Sequence, residues 1–252
     1  MGNIFSVLDG TILQILLFLY KILFQNFGLA IIALTFLIRA ALLPILLPAT
    51  KAQKKMTDLK PKIDELKEKH SEDKKKFQEE QLKLYQEHGI NPLSGCLPNI
   101  VQIIILLSLY SVLNKYLGGN EKINGQAVNT LFLWLNLAKP DPTFILPIIA
   151  GITQLFLSKM MLPTKALSIN KADTKKEKKE KQDFAETMVE VQGQMVYMMP
   201  IMTTVISVSF PSGLALYWVV GNIFTIVQQY FVSGLGGLTD LMFWKNKKTN
   251  KQ

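Results

Sequence analysis

The stretch FGLAIIALTFLIRAALLPILLP, residues 27–48, decides the fold class of this chain. It is long and apolar enough to cross the roughly 30 Å hydrocarbon core of a bilayer as one helix. Well inside it lies Arg39, the single arginine of the chain. A central arginine costs about 2.5–3.5 kcal/mol on insertion scales, so its guanidinium is expected to face a water-filled cavity or a polar partner. The alternative is that Arg39 lies near a helix end and snorkels to the headgroups.

The rest of the sequence repeats this apolar pattern. Hydrophobic residues make up 49% of the chain and the mean hydropathy is +0.22, although the net charge is +9. These values are typical of a polytopic membrane protein whose charges are concentrated in loops. Five nearly uncharged runs of about 20 residues predict transmembrane helices at 27–48, 95–117, 143–162, 191–210 and 213–232. The predicted fold class is therefore all-α and polytopic.

An N-terminal segment, residues 1–26, precedes the first predicted span. Its apolar run is too short to cross a bilayer, and Gln14, Lys21 and Gln25 recur on one helical face. This pattern predicts an amphipathic helix that lies in the membrane interface. A cleavable signal peptide is the alternative, but neither a basic n-region nor a small-x-small cleavage site precedes Gln25.

Lysines are unevenly distributed between the predicted spans. Residues 51–90 hold eleven, residues 163–190 hold seven and residues 242–252 hold four, whereas the alternate segments hold few. Because lysines near a membrane favour the cytoplasmic side, we expect a cell-membrane protein with its N-terminus outside and its C-terminus inside. The connecting segments are then an extracytoplasmic loop at 118–142, a cytoplasmic loop at 163–190 and a basic cytoplasmic tail at 233–252.

The longest charged segment, residues 49–94, has helical periodicity in two parts. Apolar residues recur at spacings of three and four before a break near residue 70, and a second stripe follows. The two stripes comprise Met56, Leu59, Ile63 and Leu66, then Phe77, Leu84 and Tyr85. Two amphipathic helices that bury these stripes against each other form the predicted cytoplasmic helical hairpin.

Several spans carry polar residues within their apolar runs. These are Asn99 and Gln102 in the second span, Gln154 in the third, and Trp218 and Asn222 in the fifth. One interpretation is hydrogen bonding between helices, which averages only about 0.6 kcal/mol per contact. The other is a hydrated groove, which we favour for Arg39 with Gln154, Asn99 and Gln102, because hydrogen bonding between helices does not require a full charge.

Patterns that enzymes and metal proteins require are absent from the sequence. Cys96 is the single cysteine, and the two histidines lie in charged segments, so neither a disulfide nor a metal site is expected. No GxGxxG, phosphate-binding loop, HExxH or nucleophilic triad pattern occurs. We therefore expect no catalytic activity, no cofactor and no DNA partner.

Five motifs resemble, in order, those of the YidC/Oxa1/Alb3 family of membrane protein insertases. They are TFLIRAALLP (35–44), LKPKIDELKEKH (59–70), NPLSGCLPNIVQ (91–102) with LYSVL (109–113), MMP (198–200), and FPSGLALYWVVGN (210–222) with QQ (228–229). They are similar to the family's first core helix, cytoplasmic hairpin, second core helix and last two core helices. Two positions depart, since Ile104 stands where the family commonly has proline and Gly221 where it commonly has serine. The chain looks like a minimal, Gram-positive-type member.

The resemblance implies a five-helix core around a hydrophilic groove that opens to the cytoplasm and to lipid. The family's groove positions map to Arg39, Gln154 and Trp218. The implied function is to insert and help fold nascent membrane proteins, alone or with the Sec translocon, with the lipid bilayer and weakly the ribosome as further partners. The alternatives are a small-solute transporter or channel with Arg39 as an anion site, and an assembly subunit. Five unequal helices do not form the two matching halves of many transporters.

Overall fold

The computed structural model describes residues 2–71, 73–91, 97–117, 122–123, 126–161, 184–236 and 238. Its helices are α1 (Gly2–Ile22), α2 (Phe27–Asp58), α3 (Lys60–Lys69), α4 (Lys74–Glu87), α5 (Leu97–Leu117), α6 (Ile145–Met160), α7 (Phe184–Ser209) and α8 (Ser212–Ser233). The fold is mostly helical, as the sequence predicts. Cys96, most of the predicted loop at 163–190 and most of the tail at 233–252 lie outside the described residues.

Four two-residue strands between α5 and α6 are an addition to the predicted all-α fold. They are β1 (Lys122–Ile123), β2 (Gln126–Ala127), β3 (Leu131–Phe132) and β4 (Leu135–Asn136). They pair antiparallel as β1 with β2 and β3 with β4. Strands this short carry no alternating pattern that a sequence can show.

Within the described ranges, three helices are long and apolar enough to cross a membrane, namely α2, α8 and Leu97–Lys115 of α5. Helix α6 has 16 residues, and the apolar part of α7, Val196–Ser209, is also shorter than a full span. Each of these five apolar segments overlaps one of the predicted spans. The count of five transmembrane helices stays a prediction because it depends on α6 and α7.

Helix α2 continues beyond the predicted end of the first span. It runs through Pro44 and Pro48 to Asp58, so the first ten residues of the segment predicted as hairpin belong to this helix. A proline removes one helical hydrogen bond without ending a helix that its neighbours hold in place. Here the extension is held by Thr57, whose Oγ1 donates to the Met161 carbonyl at 3.3 Å.

The helices pack into one bundle with two distinct ends. Helix α2 packs against α1 and α8, α1 also against α5, and α6 against α7 and α8. At one end, which we call the loop end, Phe132 packs on Gly28 of α2 and the Gly213 N–H of α8 donates to the Leu137 carbonyl at 3.0 Å. At the opposite hairpin end, Lys54 of α2 donates through Nζ to the Val232 carbonyl at the end of α8, at 3.2 Å.

Helix α1 covers one side of the bundle near the loop end. It begins well before the apolar run of its sequence, and Gln14, Lys21 and Gln25 are all exposed. Its opposite face is buried, and the Tyr20 hydroxyl accepts a hydrogen bond from the Asn129 N–H at 3.0 Å. That this helix is amphipathic and lies in the membrane interface stays a prediction.

Helices α3 and α4 pack against each other outside the main bundle. Leu59, Ile63, Phe77 and Ile90 form a small core that is separate from the main one. The remaining residues of the two apolar stripes, Met56, Leu66, Leu84 and Tyr85, pack around it. Because this pair has a core of its own, it is attached to the bundle mainly through the end of α2.

Candidate functional site

Arg39 lies between three helices rather than at a helix end. Its Nη2 donates a hydrogen bond of 2.5 Å to Oε1 of Gln102 on α5. The same Nη2 would lie 2.8 Å from a Cβ placed on Gly221 of α8, so the guanidinium rests against the α8 backbone. The absence of a side chain at Gly221 therefore provides the space that the arginine occupies.

Two buried polar groups beside Arg39 have no hydrogen-bond partner among the described residues. They are Nε2 of Gln102 and the hydroxyl of Tyr217. The Tyr217 hydroxyl lies near both Arg39 and Gln102 but does not meet hydrogen-bond geometry with either. We call Arg39, Gln102, Tyr217 and Gly221 the arginine cluster.

The arginine cluster lacks a compensating negative charge in the described part of the chain. A guanidinium has five N–H donors, and among the described residues Arg39 donates to Gln102 alone and pairs with no carboxylate. Buried charges and buried polar groups are stable when water or another polar group completes their hydrogen bonds. The cluster can therefore accept water or a polar, negatively charged guest.

The other predicted groove residues are distributed over several helix contacts. Asn222 is buried and donates through Nδ2 to Thr153 Oγ1 at 3.2 Å, which joins α8 to α6. Nε2 of Gln154 lies 4.0 Å from the Met199 sulfur on α7. Asn99 is exposed on α5 and Trp218 is half-buried on α8. Within the described residues, no hydrogen bond joins any of these four to Arg39.

Two members of the arginine cluster were not predicted from the sequence. Tyr217 is an ordinary aromatic residue in an apolar helix, and its burial beside a charge depends on how α2 and α8 pack. Tyr217 and Gly221 are four residues apart and so lie on one helical face, and this spacing could have predicted that they are neighbours. Gly221 itself departs from the family pattern, and that departure coincides with the contact to Arg39.

Asp141, at the loop end, is a buried charge of the opposite kind. Its Oδ1 accepts hydrogen bonds from the Thr143 N–H at 2.8 Å and the Thr143 hydroxyl at 2.6 Å, and its Oδ2 accepts from the Leu146 N–H at 2.8 Å. Burial raises the pKa of the Asp141 carboxyl, but these hydrogen bonds outweigh it and leave the pKa below its usual range. Asp141 therefore closes the first turn of α6.

Metal binding has no support in the described ranges. No group of three or more His, Cys, Asp and Glu side chains is close enough there to hold an ion. The single ion pair described lies in the hairpin, where Nε2 of His70 is 3.0 Å from Oε2 of Glu80.

Comparison with known proteins assigns the chain to a family. The sequence model of the 60Kd inner membrane protein family matches residues 18–236. The chain belongs to this family. The resemblance seen in the sequence motifs is confirmed, because curated relatives in this comparison carry the name YidC.

Two of these relatives are similar over most of their length. A protein of Fusobacterium nucleatum named "Membrane protein insertase YidC" is 35% identical over 211 residues, which cover 84% of this chain and 88% of the relative. "Membrane protein insertase YidC 2" of Bacillus anthracis is 35% identical over 225 residues, which cover 88% of this chain and 77% of the relative.

One solved structure has a similar fold. It is described as an active YidC insertase with its first transmembrane domain resolved, and it superposes with a TM-score of 0.61 at 26% identity. The match covers 90% of this chain but 46% of the solved chain, so this chain spans less than half of that protein. The helical architecture is thus shared, while the remainder of the solved protein has no counterpart in the match.

Proposed function

We propose that this chain is a membrane protein insertase that inserts nascent integral membrane proteins into the cell membrane and helps them fold. Family membership supports this, since relatives about a third identical over most of their length are named as insertases. The helices long and apolar enough to cross a bilayer support a membrane location. The transporter alternative has no comparable support among the described contacts.

The arginine cluster is the observation that carries the proposed mechanism. Arg39 has one described acceptor, and Gln102 and Tyr217 each leave a buried polar group unpaired beside it. A nascent chain must move a short polar tail across about 30 Å of hydrocarbon, and a hydrated groove shortens the dry part of that path. The positive charge attracts acidic residues of the tail while its apolar segment partitions into lipid.

The energy for insertion comes from the substrate in this proposal. Burial of an apolar nascent segment in the bilayer supplies the free energy, and the membrane potential adds about 2.3 kcal/mol for each charge moved across 100 mV. Arg39 and Gln102 act by lowering the barrier to the polar tail. Gln154, Trp218, Asn99 and Asn222 are proposed as further groove residues that the tail meets on its way.

Five transmembrane helices, with the N-terminus outside and the C-terminus inside, complete the proposed topology. The two ends of the bundle support it, because the lysine-rich residues 51–69, which form the last turns of α2 and all of α3, lie at the hairpin end while the loop end has few lysines. The groove opens at the hairpin end, toward the cytoplasm. There the α3–α4 hairpin is suited to receive nascent chains, with the ribosome and the Sec translocon as proposed partners.

Reconstitution tests this function directly. The purified chain in liposomes is supplied with ribosome-bound nascent membrane proteins that carry either an acidic or a neutral N-terminal tail, and protease protection measures insertion. We expect Arg39→Lys to retain most activity, and Arg39→Ala and Arg39→Glu to lose roughly tenfold or more for acidic tails, since about 1.4 kcal/mol corresponds to a factor of ten. Lys51→Ala, at an exposed lysine of α2, is the matched control. Equal insertion by all variants at equal protein levels would refute the role of the charge.

A further inference from the structure

The loop end carries an unusual set of backbone conformations. Four non-glycine residues have positive φ angles in the described part of the chain, namely Phe24 (57°), Gln25 (56°), Leu133 (56°) and Phe144 (58°). This left-handed region favours glycine and asparagine, and a bulky side chain there is strained. Three of the four are nevertheless large apolar residues. Such strain persists where something else keeps the residue in place.

Packing within the described chain does not explain why Phe24, Leu133 and Phe144 keep positive φ angles, because their side chains are largely exposed. The exposed fraction is 91% for Phe24, 74% for Leu133 and 51% for Phe144. Trp134, beside Leu133, is 55% exposed. Each turn therefore holds a large apolar side chain outward, where no described part of the chain covers most of it.

The three turns lie at the same end of the bundle. Phe24 lies in the turn between α1 and α2, four residues before Gly28, and Phe132 of the β3–β4 hairpin packs on Gly28. Phe144 is the N-cap residue of α6, which packs against α8. The hairpin also reaches the start of α8, through the bond from the Gly213 N–H to the carbonyl of Leu137. All of them surround the points where α2, α6 and α8 begin.

We propose that Phe24, Leu133, Trp134 and Phe144, which we call the apolar wedge, insert into the interfacial lipid layer around the loop end. Lipid is the occupant because the wedge continues the exposed apolar faces of the helices, for example at Ile148 of α6, which is 51% exposed. Helix ends lie where a bilayer meets water, and the amphipathic ring of tryptophan prefers that depth. The inference rests on the membrane location in the proposed function and is independent of insertase activity.

An anchored loop end has a consequence for the arginine cluster. Phe132 contacts α2 at Gly28, and Arg39 follows on the same helix, about 16 Å further along at roughly 1.5 Å per residue. A wedge held at the interface therefore fixes the depth of Arg39 below that membrane surface. It also resists sliding of the bundle along the membrane normal when a polar guest enters the cluster.

Spin labels measure the lipid contact. Single cysteines replace Phe24, Leu133 or Phe144 in a full-length Cys96→Ser chain, each carries a nitroxide, and the protein is reconstituted in vesicles of phosphatidylethanolamine and phosphatidylglycerol. Collision rates with oxygen, which concentrates in lipid, and with a neutral nickel chelate, which stays in water, report the environment. Glu65→Cys in the exposed part of α3 is the water control and Ile148→Cys is the lipid control.

We expect an oxygen-to-nickel collision ratio at the three wedge positions several-fold above that of Glu65→Cys and approaching that of Ile148→Cys. A ratio equal to that of Glu65→Cys at these positions would overturn the proposal. Exclusion of both reagents would overturn it too, because it would mean that a protein surface covers the wedge.

A second measurement leaves the wedge itself unchanged. In a chain with Trp218→Phe and Trp244→Phe, the fluorescence of Trp134 reports its depth through quenching by lipids brominated at different positions along the acyl chain. Strongest quenching by bromines near the headgroup supports the proposal, and no quenching at any position overturns it. The liposome insertion assay is run separately on the chain with its native tryptophans, so failure of the wedge and failure of the proposed function are distinguishable.

Discussion

Asp141 and Arg39 are charged residues in two regions of one molecule, and they differ in how many of their possible hydrogen bonds the described residues provide. Asp141 is 2% exposed and accepts three hydrogen bonds from Thr143 and Leu146 at the start of α6. Arg39 is half-buried and has one described acceptor, beside two buried polar groups that have no partner in the described part of the chain. Among the described residues, Asp141 thus has several hydrogen-bond donors around it, whereas most N–H donors of Arg39 have no acceptor.

This difference distinguishes a charge that stabilises the fold from a charge that can bind water or a substrate. A buried charge whose hydrogen bonds are complete stabilises the fold and has little left to offer a ligand. A charge with unused donors is expensive unless water or a guest supplies the partners. Substitutions at the two sites are therefore expected to change different properties, stability at Asp141 and insertion at the arginine cluster.

The largest effect on stability is expected for Asp141→Ala. It leaves three donors at the start of α6 without their acceptor, and we expect a loss of about 2–3 kcal/mol in the free energy of unfolding. Thermal unfolding in detergent, followed by circular dichroism, measures it. Asp141→Asn keeps an acceptor oxygen and should lose less, while insertion per folded molecule should be unchanged in both. An unchanged unfolding temperature for Asp141→Ala would show that the Asp141 carboxylate does not stabilise the fold.

Acid is expected to weaken the same contact. The pKa of Asp141 lies below its usual range in the folded chain, so its carboxylate contributes stability above the pKa of the unfolded chain, near 4 for an aspartate. That contribution is lost as the pH falls further, through the folded pKa. Comparing unfolding temperatures of the native chain and Asp141→Asn between pH 6 and 3 isolates it. The gap between them should narrow below about pH 4, and a constant gap would contradict this origin.

Substitutions of two tyrosines, Tyr217 in the arginine cluster and Tyr20 outside it, are expected to have moderate effects on insertion and stability. Tyr217→Phe removes a buried hydroxyl without a partner, so stability should be unchanged or rise slightly, while insertion of acidic-tailed substrates should fall. Tyr20→Phe instead leaves the Asn129 N–H without its acceptor and should cost about 1 kcal/mol without affecting insertion. Stability and insertion are measured on both variants. The same response of both properties in the two variants would show that Tyr217 has only a packing role.

The smallest effect is expected for Gly221→Ala. The added Cβ would lie 2.8 Å from Nη2 of Arg39, at the flexible end of that side chain, so the guanidinium shifts slightly and its contact with Gln102 weakens. We expect unchanged or higher stability, since alanine favours a helix by about 1 kcal/mol over glycine. Insertion of acidic-tailed substrates should fall about twofold, less than for Arg39→Ala. A loss as large as that of Arg39→Ala would mean that the position of the charge, and not its presence, dominates.

The sequence predicted the parts of this structure that carry a periodic or compositional signal. The apolar runs located α2, α5 and α8, and Arg39 and Gln102 drew attention because polar residues stand out in apolar helices, while their role in a groove stays a prediction. Their pairing was not predictable from either run alone, because it depends on how α2 and α5 pack. Asn222 was also identified, but its partner Thr153 lies on α6.

Two features gave no usable signal. The end of the first span was placed at Pro48, whereas α2 continues to Asp58 because contacts with Met161 and Val232 hold the extension. The turns at Leu133 and Phe144 lack the glycine or asparagine that normally mark a left-handed conformation. Both outcomes depend on tertiary contacts or on surroundings that local propensity does not include.

In the proposed mechanism water from the cytoplasm reaches the arginine cluster, and one labelling rate tests this. Gln102→Cys in a Cys96→Ser chain is treated in intact membrane vesicles with a membrane-impermeant maleimide on the cytoplasmic side. Leu109→Cys on the same helix, at a position 1% exposed, is the dry control. We expect the cysteine at 102 to react many times faster than the one at 109, and more slowly once an acidic-tailed nascent chain is bound. Equal, negligible rates at both positions would contradict a hydrated site at Arg39.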